Sequence, residues 1–421
     1  MHRRTFLTVL GATALAPAVP AAATKPTLHD WIARHATPLR TTRPGAPLDD
    51  LRHLERPLAG ARIVALGEAS HDTAEITRLK HRTLRHLIER QGFRAIAWED
   101  DWSLGTLLNQ YILTGRGDLR ALMGQMSEAW RSEEVRDVFE YLRAYNAKHR
   151  DKVRFAGVEY FSTRHLAYDA VDAYVAQHAP HRLAELRALL KPIYPHLTDM
   201  GAYVYWYWKE VADKAPYLQK SKAVHALLRG LRHHGRSYAV ALHHARQIAS
   251  FYEAFSLDDN FAYRDARAAE NLRWWHEFTG EKVVYWAAAA HTANAPDLSV
   301  SNPSGPGFAF PSAGSHLRRQ YGDRYRTIGF TFDHGTMHGP VDMPPPRTTW
   351  FEHPLGQIRH SHYTLDLQRP GSSAARAWLD APLRTRGFPH LGPASEMTGG
   401  TLAQWHDVLI HTQLVTPIHP L

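Results

Sequence analysis

Glu68 and His71 stand three residues apart, just after the apolar run Ile63-Val64-Ala65-Leu66 and Gly67. That pairing suits general acid–base work. An imidazole removes a proton from water near neutral pH, while a carboxylate holds its tautomer and stabilises the imidazolium that forms. Three further apolar runs end in polar residues, at Glu99, Glu159 and His291. A second carboxylate can orient the attacking water, and a second imidazole can donate to a developing oxyanion or protonate a leaving alkoxide. Glu68, His71, Glu99 and His291 are therefore the candidate catalytic set. Lys80 and Glu159 are candidate substrate-binding residues, although an ordinary ion pair explains each equally well. Ser70 beside His71 is a poor nucleophile candidate, because adjacent residues at a turn rarely point at one another.

These side chains meet only if the elements before them share a direction. The pattern predicts a strand at Ile63–Leu66, a helix at Thr73–Gln91 and a strand at Ala95–Trp98, together a compact βαβ unit. Asp72 with Glu75 has capping-box spacing, and Ile76, Leu79, Thr83, Leu84, Leu87 and Ile88 recur at helical period behind it. Further strands are expected at Val153–Val158, Val283–Ala288, Thr327–Phe332, Tyr363–Leu367 and Asp407–His411, with a helix at Glu133–His149. Ser299–Pro311 reads as a Pro/Gly/Ser-rich loop. Strands alternating with helices predict an α/β fold with a mostly parallel central sheet covered by helices on both faces. In such sheets ligands sit at the carboxyl edge. Residues from about 163 to 278 read as a large helical insertion or cap. Its run Tyr203-Val204-Tyr205-Trp206-Tyr207-Trp208 reads mainly as helix core, with some rings available to line the cap over the site. His233-His234 and His243-His244 are expected at its surface.

Composition narrows the function classes. The 421-residue chain is 44% hydrophobic and 22% charged, as in an ordinary globular protein. It contains no cysteine, which removes thiolate nucleophiles, Fe–S clusters and cysteine-ligated zinc. The formal charge is +9, and positive residues are interleaved with Asp and Glu, so no nucleic-acid partner is implied. Arg3-Arg4-Thr5-Phe6-Leu7, the apolar run from Leu7 to Val19 and Ala21-Ala22-Ala23 predict a twin-arginine signal peptide over residues 1–24. Export to the periplasm or beyond is expected, with residues 25–421 as the mature domain. Pro17 and Pro20 interrupt the run well short of the roughly 20 apolar residues that span a bilayer, and no later segment is long enough. The chain lacks G-x-S-x-G, G-x-G-x-x-G, Walker A and H-E-x-x-H motifs, so neither a serine elbow nor a nucleotide cofactor is supported. No cofactor or metal is assigned.

The chain resembles the erythromycin esterase family along nearly all of its mature length. The resemblance rests on Gly67-Glu68-Ala69-Ser70-His71, the helix with Glu75 and Lys80, Gln91-Gly92-Phe93 and the strand ending at Glu99. Trp130 with Glu133, Arg143 with Asn146, Arg264-Asp265 with Asn271, Trp286 through His291, Ser315-His316-Leu317 and Asp366 with Trp378, Leu379 and Arg386 extend it. It implies hydrolysis of an ester or macrolactone without a covalent serine intermediate, with His71 as the base and Glu68 and Glu99 assisting. It also implies a small-molecule partner. The chain departs from the family's W-A-H-N-x-H run, where Ala288 and Ala289 replace the first histidine and the asparagine, and His291 remains. Two alternatives stand beside an exported ester or lactone hydrolase. One is a metal-dependent hydrolase using the same Glu and His residues; the other is a catalytically lapsed binding protein for a bulky apolar compound. Oligomeric state has no sequence signal.

Overall fold

The computed structural model describes residues 26–161 and 164–421. The signal peptide expected over residues 1–24 lies outside them. The core is a nine-stranded sheet. Its parallel body reads Val408–Val415, Tyr325–Met337, Ile63–Glu68, Val283–Ala288, Ala95–Asp101, Arg154–Glu159 in spatial order. His362–Asp366 and Thr37–Pro38 add antiparallel strands beyond Val408–Val415. Val341–Met343 folds back on the far end of Tyr325–Met337. The fold is the expected mostly parallel α/β sheet with helices on both faces.

The central strands are apolar on both sides because both sides are covered. Val64, Leu66, Ile96, Trp98, Val284 and Trp286 face a core shared with helices Ala74–Gln91, Trp102–Thr114 and Glu133–Lys148. Ile63, Ala65, Ala95, Ala97, Val283 and Tyr285 face the opposite core, built on helices Phe261–Thr279 and Ala313–Tyr321. Trp98 and Trp286 stack across neighbouring strands with centroids 4.4 Å apart.

Three local expectations are corrected. Ile63–Glu68 and Ala95–Asp101 are not neighbours, because Val283–Ala288 pairs in parallel between them. The chain thus returns to the middle of its own sheet, and the strand order reverses at Ile63–Glu68 and Val283–Ala288. Asp72 does not cap the following helix. Its N-cap is Thr73, which makes no side-chain cap bond, and Glu75 accepts from Thr416 N at 2.6 Å and Thr416 Oγ1 at 2.8 Å. The chain near Thr416 lies against the helix start and takes over the capping, as Ala74 N donates to Thr416 O at 2.9 Å. Ser299–Pro311 is not only loop. Leu298–Val300 and Phe308–Phe310 join Pro382–Arg386 and Glu396–Thr401 in a second, four-stranded antiparallel sheet. Strands of three residues are too short to show a period, so burial of Val300 and Phe310 decides them.

Between Glu159 and Val283 the described residues are largely helical, from His165–His178 to Phe261–Thr279. This block has its own tyrosine-rich core. Tyr252 Oη donates to Ile193 O at 2.6 Å and meets Tyr203 Oη at 2.7 Å and Tyr168 Oη at 3.1 Å. Of the aromatic run, Tyr203 and Tyr207 are buried in that core, whereas Tyr205 and Trp208 are exposed. His243 and His244 are buried, contrary to expectation, because Trp102 and Trp274 pack against them. No helix among the described residues is long and apolar enough to cross a membrane.

Candidate active site

Glu68 and Glu159 are the last residues of parallel strands and Glu99 lies two residues before the end of a third, all at one sheet edge, where the strand order reverses. His71 follows in the turn after Glu68, and His291 sits on the short helical turn Ala289–Thr292 after Ala288. Gly67 makes their approach feasible. A Cβ there would run into Thr292 Oγ1 and lie 3.1 Å from Ala289 Cα.

Glu68 orders one half of the site. Its Oε1 meets His71 Nδ1 at 2.7 Å, and its Oε2 accepts from buried Lys80 Nζ. Lys80 also lies over the Trp286 ring, 4.3 Å from its centroid. Lys80 therefore fixes Glu68 from behind and does not line the cleft. The other ring nitrogen, His71 Nε2, lies 3.8 Å from Glu99 Oε2, and in the tautomer that donates from Nδ1 to Glu68 it carries the lone pair. His71 remains partly exposed and meets the edge of Trp130 at 4.3 Å.

Glu99 joins the two halves. Its Oε2 accepts from Ala288 N at 2.8 Å and its Oε1 from Arg264 Nη2 at 2.7 Å. Burial resists its ionisation, but His291, His71 and Arg264 outweigh that and hold its pKa at about 2. Arg264 also donates through Nε to Glu159 Oε1 at 3.2 Å and through Nη1 to His291 Nε2 at 2.8 Å. His291 Nδ1 lies 3.0 Å from both oxygens of fully buried Asp265, and Asp265 Oδ1 accepts from Ala313 N at 2.7 Å. Burial and Arg264 oppose protonation of His291, while Asp265 and Glu99 raise its pKa overall. Each protonation state has a partner: neutral Nε2 accepts from Arg264, and protonated Nε2 faces Glu99 Oε1 at 3.3 Å. Burial, reinforced by the Glu99 charge, raises the pKa of Glu159. Glu159 bridges to the helical block through Arg264, the ordinary ion pair that the sequence left open.

The groups surround a cleft of about 210 Å³ whose floor includes Glu68, His71, Glu99, Arg264 and His291. The four residues proposed as catalytic are thus brought together. Among the described residues, no group of three His, Asp or Glu is arranged to hold a metal ion. Lys80 and Arg264 take up carboxylate oxygens that a metal would need.

The sequence model described as Erythromycin esterase matches residues 88–415 of this chain. The chain belongs to the erythromycin esterase family. Membership points to hydrolase activity. An erythromycin esterase type II from Escherichia coli is 31% identical over 130 residues, which is 31% of each chain, so that alignment spans about a third of the enzyme. A putative hydrolase, YbfO, from Bacillus subtilis strain 168 is 24% identical over 348 residues, 75% of this chain and 76% of YbfO. A Bacillus cereus protein of known structure is 25% identical, with a TM-score of 0.81 over 93% of this chain and 98% of its own. The erythromycin esterase EreC, solved as a mutant in its open conformation, shares the fold at 17% identity, with a TM-score of 0.68 over 90% of this chain and 98% of EreC.

For this erythromycin esterase family member, composition and periodicity gave Arg264 and Asp265 no role. They are consecutive on helix Phe261–Thr279 yet reach different partners, and nothing in their spacing announces that. The roof was missed entirely. Gly387, Phe388, Pro389 and Met397 come from the second sheet and the turn between its strands.

Proposed function

We propose that this chain hydrolyses carboxylic esters or lactones, with His71 as the general base. A water in the cleft loses its proton to His71 Nε2 while Glu99 Oε2 orients it. Glu68, tethered by Lys80, keeps the opposite ring nitrogen protonated and stabilises the imidazolium. The hydroxide attacks the acyl carbon, and the resulting oxyanion is met by protonated His291. Collapse expels the alkoxide, which takes its proton from His71 or His291. The observation that carries this reading is the His71 ring held between two buried carboxylates, Glu68 at 2.7 Å and Glu99 at 3.8 Å.

The test is mature protein assayed on aryl esters and lactones, beside His71→Ala. Turnover is expected in the parent and a loss of about 10²–10⁴-fold in the variant. Unchanged activity in His71→Ala removes this mechanism, and thermal stabilisation by a ligand without product marks a binding protein instead. We also propose export to the periplasm or beyond, supported by the Arg3-Arg4 segment. A double exchange to lysine is expected to retain the chain in the cytoplasm; undiminished export would refute this route.

A further inference from the structure

We propose that the roofed cleft is a slot for a short, uncharged acyl group, so that the preferred substrate is an acyclic ester of a small aliphatic acid and not a macrolactone. This rests on the hydrolase reading and adds the side of the scissile bond that the protein encloses.

Size is the first argument. The cleft is about 210 Å³, below the roughly 300–1,000 Å³ typical of drug-sized ligands. Chemistry is the second. Beside the reactive groups the cleft is lined by Ala288, Ala290, Phe388, Pro389 and Met397, which offer apolar contact, and by Asp72 and exposed His390, so the one further imidazole comes with a further carboxylate. Arg264 lines the cleft, but Glu99, Glu159 and His291 already engage its guanidinium. An acyl chain bearing a carboxylate would meet Glu68 and Glu99 without compensation, so an apolar chain is favoured.

The third argument is that the roof is braced. Gly387 N donates to Ser395 O at 2.8 Å, and a Cβ on Gly387 would collide with the Ser395 side chain. Phe388 O accepts from Leu391 N at 2.9 Å, closing a tight turn over the cleft. The Phe388 ring packs against Phe308 at 5.6 Å, and Phe308 stacks on Phe261 at 4.4 Å. Met397 is buried in its strand, opposite Val300 and Thr385. A macrolactone carries its acyl and alkoxy arms in one ring, so both must enter together. A braced slot of this size admits a free chain more readily than a closed ring.

The experiment is a chain-length series of p-nitrophenyl esters, acetyl to octanoyl, with a macrolactone alongside. We expect kcat/KM to fall about tenfold or more from butyryl to octanoyl, a discrimination of the size hydrophobic pockets achieve. Phe388→Ala and Met397→Ala should each raise octanoyl relative to butyryl, and Ala290→Val should penalise butyryl more than acetyl. A flat profile, or macrolactone turnover matching butyryl, overturns the slot. If no ester is hydrolysed, the hydrolase reading fails, and the slot is judged by calorimetry with N-methylbutyramide and N-methyloctanamide. Preference for the shorter amide supports it, and equal or weaker binding of the shorter one overturns it.

Discussion

Two regions of this molecule gather histidine, to opposite effect. At the carboxyl edge, His71 and His291 each face carboxylates, Glu68 at 2.7 Å and Asp265 at 3.0 Å. Away from it, His81, His406, His411 and His244 are enclosed without a carboxylate partner among the described residues, and burial lowers their pKa to about 3 for the first three and about 4 for His244. His411 Nδ1 meets Thr331 Oγ1 at 2.9 Å and His244 Nδ1 accepts from Trp102 Nε1 at 3.3 Å, neutral partners that ask for no charge. Burial by itself makes an imidazole an inert filler. A fixed carboxylate on one ring nitrogen makes the other a base.

The sharpest way to break this contrast is to delete one histidine from each region. His71→Ala should cost about 10²–10⁴-fold in ester turnover while leaving Tm nearly unchanged. His406→Ala should do the reverse. Its ring packs against Gly329, and the vacated space should cost about 1–3 kcal/mol in denaturant unfolding with turnover largely kept. Equal effects of both variants on both readouts would erase the distinction.

Acid comes next. The enclosed histidines stay neutral in the folded chain, whereas the unfolded chain protonates them near pH 6.5. Stability is therefore full above that pH and drains as pH falls toward their folded values, by up to about 1.4 kcal/mol per pH unit for each group. Asp100 and Asp101 pull the other way. Burial raises their pKa to about 7 and about 6, so they weaken the fold as pH rises from about 4. The histidines outnumber them, and Tm should fall from pH 7 to pH 5. His81→Phe, which replaces a ring with both nitrogens unpartnered among the described residues, should flatten that slope. An identical slope would show that His81 does not contribute.

The smallest effect concerns Asp265, the partner of His291, which is the second imidazole of the proposed mechanism. Asp265→Asn retains an acceptor for Ala313 N but removes the charge that raises the His291 pKa. Turnover should drop about 10- to 100-fold, and the alkaline limb of its pH profile, set by loss of the His291 proton, should move to lower pH. A uniform loss without that movement would make Asp265 merely structural.

Much of the site was legible in the sequence. Glu68, His71, Glu99 and His291 were found because each follows an apolar run, and a buried parallel strand must end where its polar residues begin. The strand neighbours were not legible. Val283–Ala288 inserts between two strands joined by a single helix, and that choice is made by the Trp98–Trp286 stack and the paired cores on either face. The role of Lys80 was ambiguous for a similar reason. Helical spacing places it behind His71, but only the packed sheet shows it bonded to Glu68 over Trp286.

By itself, the sequence determined the fold class, the edge at which polar groups collect and the chemical types gathered there, since these follow from local periodicity and chain order. Tertiary structure alone decided which carboxylate meets which imidazole, that Arg264 and Asp265 join them, and that a second sheet roofs the cleft. Those outcomes depend on contacts between residues far apart in the chain, whose burial and charge balance no local pattern records.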